Sequence, residues 1–166
     1  MKIGIDIFGP TVSLTGLDTE IEFTSLYGIT AALCLRKCDH TVYVSSDSAD
    51  STRATRQNSR HLNLVMLCQA GEGDCGAIIV HPRTSLLNRR RAEKAAIYLS
   101  HQLGHPFIVK NATHEDKSLE KLRPYKAFAW SIQPLMVSDP FFVGQMLTAA
   151  VHFAYDIQRE STRCAG

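Results

Sequence analysis

The arginines at positions 53, 56 and 60 form the clearest chemical pattern in the sequence. Their spacing of three and four residues would place Arg53, Arg56 and Arg60 on one face of a helix. Guanidinium groups bind phosphate or carboxylate groups through paired hydrogen bonds. Ser45 and Ser46 come shortly before them, with hydroxyls that could satisfy backbone groups or bind a ligand. The pattern predicts either a site for an anionic ligand or a solvated basic face.

Histidines and cysteines are the residues that could hold a metal ion or act as a nucleophile. The seven histidines are scattered along the chain. His101 and His105 have helical spacing, but Gly104 and Pro106 predict that the helix ends between them, so the two rings would diverge. Cys68 ends an apolar run and could react if a base lowered its pKa, yet no such base adjoins it in the sequence. Structural histidines and a buried, inert thiol are the simpler interpretation.

Composition and charge limit the class of protein. A length of 166 residues with 45% hydrophobic and 20% charged residues predicts one soluble domain, which we expect to span 1–158, with a loose tail at 159–166. The net charge of +2 argues against a nucleic-acid polymer or a membrane surface as partner. The chain starts with a strand pattern rather than a signal peptide, and it has an odd number of cysteines. These features predict a cytoplasmic protein.

Apolar runs that alternate with helical repeats predict the elements that position these residues. Strands are expected at 1–5, 41–46, 62–68, 76–82, 106–110 and 128–137, and helices at 23–37, 92–103 and 147–157. This order predicts a single-domain α/β fold with a mostly parallel sheet flanked by helices. Pro10 cannot continue a strand, so the chain must turn directly after Asp6. Ligand sites of α/β folds often lie at such strand ends.

The order of the elements and several local motifs resemble the zinc-dependent N-acetylmuramoyl-L-alanine amidases, which cut the glycan–peptide bond of bacterial cell walls. The resemblance covers almost the whole chain. It places Ile5–Pro10 at a turn of the type I-D-x-G-H-G, and Glu20 or Glu22 at a zinc-binding glutamate. It places Leu67–Gly71 at a Ser-x-His-Ala-Asn motif and Gln133–Pro140 at E-x-G-F-x-S-N-P. The resemblance implies an amidase-like fold.

Residues at the catalytic positions of that family differ in this chain. Under this alignment Gly9 or Phe8 replaces the first zinc-binding histidine, Gln69 replaces the second, and Gln133 replaces the catalytic glutamate. A single remaining carboxylate does not hold zinc at useful affinity, and an amide cannot act as a general base. We therefore expect an amidase fold without amidase chemistry, with no catalytic residues, no bound metal and no cofactor.

A pocket at the strand ends could still bind a ligand. Its expected lining is Asp6, Phe8, Gly9, Glu20, Glu22, Ser46, Arg53, Arg56, Arg60, Gln69 and Gln133. The predicted function is to bind or sequester a small anionic molecule, either a nucleotide-like signal or a cell-wall fragment. Phage-encoded sponge proteins act in this way, and a phage-encoded chain would work in the host cytoplasm.

Two alternative functions remain open. One is a zinc-dependent peptidoglycan amidase with an altered set of metal ligands. The other is a protein–protein interaction module with anchors at Trp130 and at Pro140-Phe141-Phe142. A homo-oligomer is compatible with each of these functions.

Overall fold

The computed structural model describes residues 1–7, 19–45, 61–70, 76–113, 127–132 and 139–157, and for 19–23, 69–70 and 127–132 it describes the backbone alone. The elements are β1 (Lys2–Ile7), α1 (Thr19–Lys37), β2 (Thr41–Ser45), β3 (Leu64–Ala70), β4 (Gly76–Val80), α2 (Leu86–Leu103), β5 (Phe107–Asn111), β6 (Ala127–Ile132) and α3 (Pro140–Ala154). The predicted α/β fold and its order of strands and helices are confirmed.

Six strands form one sheet in the order β2-β1-β3-β6-β4-β5. Neighbouring strands run parallel, except that β4 and β6 are antiparallel. The carboxyl ends of β1, β2, β3 and β6 therefore lie at one edge of the sheet, together with the starts of β4 and β5. We call this end of the strands the site edge, and we call the opposite end, where β1 begins, the far edge.

The main core lies on the face of the sheet that the three described helices cover. Successive strand residues point to opposite faces, so Ile3, Ile5 and Ile7 of β1 pack into this core with residues of all three helices. A smaller apolar cluster on the other face contains Val65 and Leu67. The central strands are buried on both faces, which explains why their sequences are continuous apolar runs.

Capping residues set the limits of α2 and α3. Ser85 accepts a hydrogen bond from the Asn88 nitrogen (3.2 Å), and Asp139 accepts one from the Phe141 nitrogen (2.9 Å). Both helices therefore begin earlier than their apolar repeats indicated. Gly104, at φ 68°, ends α2 in a left-handed conformation. Asp156, at φ 52°, adopts the same conformation after α3, so the helix stops short of the predicted end at residue 157. None of the described helices is long and apolar enough to cross a membrane.

Helix α1 buries a different face from the one that its large apolar residues indicated. Ile29 and Leu33 are about half exposed, whereas Tyr27, Ala31 and Leu35 are buried. Small residues on the buried face let α1 lie close to the sheet on one side and to α3 on the other. The sequence pattern found the helix but not its orientation, because the close approach of other elements at Gly28 and Ala31 decided which face is buried.

Gly144 marks the closest approach of α3 to α1. A Cβ atom at this position would lie 2.6 Å from the Thr30 Cβ and 2.7 Å from the Tyr27 carbonyl oxygen. Backbone cannot move aside as a side-chain tip can, so a methyl group at this position would push the two helices apart.

We expect Gly144→Ala to lower the free energy of unfolding by about 1–3 kcal/mol, because it overpacks this contact. The same change at an exposed helix position would stabilise the protein by about 0.5–1 kcal/mol. Urea unfolding measures directly whether Gly144→Ala lowers or raises the free energy of unfolding. Gln145→Ala, at the next and exposed position of α3, is the matched control and should change stability by less than about 0.5 kcal/mol. An increase in stability with Gly144→Ala would contradict the contact.

Candidate functional site

Strand pairing brings the polar ends of four strands together at the site edge. Asp6 of β1 is in register with Ser45 of β2 on one side and with Leu67 of β3 on the other. Two residues further along β3, Gln69 is in register with Ser131 of β6. Residues that are far apart in the sequence therefore occupy adjacent strands at one edge, as expected for a ligand site in a parallel sheet.

Asp6 and Ser45 are both buried at this edge, with exposures of 1% and 7%. Both lie on the face of the sheet opposite the helices, because side chains of parallel register partners project to the same side. The Ser45 Oγ is buried and has no hydrogen-bond partner among the described residues. A buried hydroxyl without a partner costs free energy, and most such groups in proteins are satisfied. The hydrogen-bonding capacity of Ser45 is therefore unused within the described part of the chain.

A second buried polar group occupies the helix side of the site edge. Cys68 is fully buried, and Gly28 of α1 packs against Ile7 and Cys68, since a Cβ at Gly28 would lie 2.9 Å from Ile7 Cγ1 and 3.6 Å from Cys68 Cβ. The Thr24 Oγ1, one turn earlier on α1, is buried and has no hydrogen-bond partner in the described part of the chain. The inner face of α1 therefore carries polar groups where it covers the ends of β1 and β3.

Burial raises the pKa of the Cys68 thiol, and the negative charge of Asp6 raises it further. A hydrogen bond with Tyr27 opposes this shift and is the smaller effect. Only the thiolate is a strong nucleophile, so Cys68 stays protonated and unreactive at neutral pH. This agrees with the interpretation of an inert thiol.

Solved structures with this architecture include several N-acetylmuramoyl-L-alanine amidases. The enzyme from Clostridium difficile 630 superposes with a TM-score of 0.75 over 95% of this chain and 98% of its own, at 13% sequence identity. Ami1 from Mycobacterium abscessus gives a TM-score of 0.72 over 93% and 98% of the two chains, at 12% identity. The catalytic domain of CwlV from Bacillus (Paenibacillus) polymyxa gives 0.69 over 95% and 99%, at 12% identity.

The fold is that of the N-acetylmuramoyl-L-alanine amidases. The resemblance noted in the sequence is thereby confirmed for the fold. No protein-family model matches the sequence, and no curated protein matches it either. At identities of 12–13% the likeness establishes the amidase fold and leaves the activity of this chain to be argued from its own residues.

The described residues at the site edge of this amidase fold do not fit zinc. In the part of the chain that the structure describes, no group of three or more His, Cys, Asp or Glu side chains could hold a metal ion. His40, His61, His81 and His152 lie at the far edge of the sheet or beside it. His101 and His105 lie near the start of β5, which is three strand positions from β3 and thus about 14 Å away at ~4.8 Å per strand.

Several predicted site residues fall outside the described residues: Phe8, Gly9, Ser46, Arg53, Arg56, Arg60 and Gln133. Glu20 and Glu22 lie in the first two turns of α1, where the structure gives the backbone alone. Gln69 is the penultimate residue of β3. Of the predicted set, Asp6 is the member whose side chain the structure describes, and it lies at the predicted edge.

Sequence reasoning missed Thr24 and Tyr27 as neighbours of this site. Both belong to the helix that follows β1 in the chain, and they lie three residues apart on one face of α1. That spacing was a usable signal, since a helix that follows the first strand of an α/β fold packs its inner face on the strand ends.

We expect Cys68 to react with iodoacetamide at least about a hundredfold more slowly than Cys38 in the native protein, because the thiolate fraction falls about tenfold per pKa unit. Cys38 is a half-buried cysteine outside any disulfide, directly after α1. Alkylation at pH 8 followed by peptide mass mapping measures each site separately. In 8 M urea the two sites should react alike. Equal native rates would show that Cys68 is accessible and ionisable.

Proposed function

We propose that this chain is a non-catalytic binding protein on an amidase fold, which holds a small anionic molecule at the site edge of its sheet. The proposal places this role in the cytoplasm, where the protein would bind or sequester either a nucleotide-like signal or a cell-wall fragment. Both ligands carry phosphate or carboxylate groups, and that shared chemistry is what the site would recognise.

The observation that carries the proposal is the Ser45 hydroxyl, which is buried at the carboxyl end of β2 without a hydrogen-bond partner among the described residues. A hydroxyl donor in this position suits an oxygen of an anionic group. It lies on the first strand of the sheet order and in register with Asp6, at the carboxyl ends of the strands where α/β folds bind ligands. A bound oxygen would offset the cost of leaving this group unsatisfied.

The connection that follows Ser45 supplies the positive charge. Residues 46–60 contain Arg53, Arg56 and Arg60 and the two acids Asp47 and Asp50. This connection leaves β2 at the site edge, directly after the unsatisfied hydroxyl. Guanidinium groups that fork onto phosphate or carboxylate oxygens would supply most of the affinity. The site then needs no metal ion and no general base.

Amides expected at the catalytic positions of the family support a binding role over hydrolysis. The resemblance to the amidase motifs implies that Gln69 and Gln133 stand where a metal ligand and a general base would be required. An amide both donates and accepts hydrogen bonds but does not accept a proton at neutral pH. Such side chains suit recognition of a polar ligand and do not suit activation of water.

We expect Ser45→Ala to weaken ligand binding by about 2- to 13-fold, which is the value of one neutral hydrogen bond. The same change should leave the ligand-free protein equally or more stable, because it removes a buried hydroxyl that has no partner. Arg56→Gln should weaken binding by about 10- to 150-fold, as for a charge-assisted hydrogen bond. Arg90→Gln removes an exposed arginine of α2 and is the matched control.

Native mass spectrometry of the purified protein identifies any ligand that is retained, and isothermal titration calorimetry measures its affinity for the variants. Thermal shifts with cyclic and linear nucleotides, with muramyl peptides and with inorganic phosphate distinguish the possible sources of the anion. A protein that retains no ligand, and whose melting temperature no probe raises, would refute the binding role. Equal weakening by Arg56→Gln and Arg90→Gln would place the anion elsewhere.

A zinc-dependent amidase with an altered ligand set is the second candidate, and the likeness to amidases over nearly the whole chain favours it. Its test is elemental analysis of protein prepared without added metal, together with release of muropeptides from purified peptidoglycan. About one equivalent of zinc together with cleavage would establish the enzyme and overturn the binding proposal. Zinc below about a tenth of an equivalent and no cleavage would exclude the enzyme.

A protein-interaction role is the third candidate, and the exposed aromatic rings at the start of α3 favour it. Phe141 and Phe142 are 54% and 38% exposed, and interface anchors are often aromatic. Substituting Arg56 would leave a partner bound through these rings intact, whereas Phe141→Ser would release it. Co-purification assays with the two variants separate this role from ligand binding.

A further inference from the structure

Two hydrogen-bond contacts between nitrogen atoms connect the far edge of the sheet to α3. The backbone nitrogen of Met1 lies 3.1 Å from Nδ1 of His40, in the turn between α1 and β2. The Nε2 atom of His40 lies 2.9 Å from the Nε2 atom of His152, in the last turn of α3. The two rings meet edge to face, with centroids 5.1 Å apart. His152 is 5% exposed, and His40 is half-buried.

These distances fix where the protons lie. The Met1 nitrogen can only donate, so Nδ1 of His40 is the acceptor and carries no proton. Neutral His40 therefore carries its proton on Nε2 and donates a hydrogen bond to Nε2 of His152. Nε2 of His152 is then the acceptor, and the proton of that ring lies on Nδ1. Both rings are neutral in this arrangement.

We propose that His40 and His152 form an acid-sensitive link that holds the start of β1 and the turn before β2 against the end of α3. Each ring has one acceptor nitrogen, and that nitrogen is already used in the chain of hydrogen bonds. A proton added to His40 Nδ1 removes the acceptor for Met1. A proton added to His152 Nε2 removes the acceptor for His40 and leaves two N–H groups opposed at hydrogen-bond distance.

The backbone on each side of the link depends on the same contact. Thr41 donates to the Met1 carbonyl (2.9 Å), and His40 donates to the Leu35 carbonyl (3.2 Å). Ile157 donates to the carbonyl of His152 (2.9 Å), which closes the end of α3. Opening the histidine pair therefore loosens the start of β1, the α1–β2 turn and the final turn of α3 together.

The charged and titratable groups on the surrounding elements are Lys2 on β1, Arg36, Lys37, Cys38 and Asp39 before His40, Arg91, Glu93 and Lys94 on α2, and Tyr155 and Asp156 after α3. Several of these groups are engaged elsewhere. Arg36 donates to the Val42 carbonyl (3.0 Å), and Lys94 pairs with Asp156 (2.7 Å). Arg91 lies over the ring of Tyr155. Asp39 is the acid adjacent to the pair in the sequence.

Burial lowers the pKa of His40, the positive charge at Met1 lowers it further, and Asp39 opposes the shift. A histidine whose pKa is lower in the folded than in the unfolded protein contributes to stability at pH values above its unfolded pKa of about 6.5. That contribution is lost as the pH falls from about 6.5 through the lower value of the folded state. The direction agrees with a link that is closed at neutral pH and opens in acid.

The decisive test compares the wild type with His152→Gln by urea unfolding between pH 7.5 and 5.0. Glutamine keeps an acceptor oxygen for His40 but cannot be protonated. We expect the folding equilibrium constant of the wild type to fall more than that of His152→Gln over this range, because the variant keeps the titration of His40 and loses that of His152. His101→Gln, which removes an exposed histidine of α2, should behave like the wild type.

Long-range proton–nitrogen correlation spectra of the wild type at pH 7.5 test the tautomers directly and do not require that any variant folds. We expect the proton of His40 on Nε2 and that of His152 on Nδ1. The reverse tautomer of His40, or parallel pH dependences of the wild type and His152→Gln, would overturn the proposal. In hydrogen exchange, the protection of the Thr41 and Ile157 amides should fall together below pH 6, and independent losses would also contradict a common link.

Discussion

Parallel pairing of β1 between β2 and β3 is the constraint on which the rest of the structure depends. It fixes the register of Asp6 with Ser45 and Leu67 at one edge of the sheet. The same register places Met1 beside Thr41, and thus near His40, at the other edge. Because β1 is buried on both faces, a slip by one residue would turn Asp6 into the helix core and expose isoleucines to the other face. Burial therefore enforces the register, and the register positions both features for which we propose roles.

Buried polar groups lie at both edges of the sheet. At the far edge two hydrogen-bond contacts join the Met1 nitrogen to His40 and His40 to His152. At the site edge the hydroxyls of Ser45 and Thr24 are buried without a hydrogen-bond partner among the described residues. Unsatisfied groups of this kind are rare and tend to have a role outside simple stability. The described part of the fold thus has a hydrogen-bonded histidine pair at one edge and hydroxyls with unused hydrogen-bonding capacity at the other.

The likeness to amidases separates scaffold from chemistry. A sheet of this order with its helices superposes on amidases at 12–13% identity, because apolar periodicity and close packing can be met by many sequences. Hydrolysis tolerates fewer substitutions than the fold does, since it needs particular donor atoms at particular distances. A shared fold therefore does not by itself carry the chemistry of the amidases.

By itself the sequence determined the α/β class and the order of strands and helices. Apolar runs and helical repeats act locally, so these features could be predicted without the structure. The buried face of α1 could not, because Gly28, Ala31 and Gly144 were selected by close packing against elements remote in the chain. Nor could the antiparallel pairing of β6 with β4, or the contact of His40 with His152 across 112 residues. Long-range pairing and packing leave no periodic signal in the sequence, so only the tertiary structure decided them.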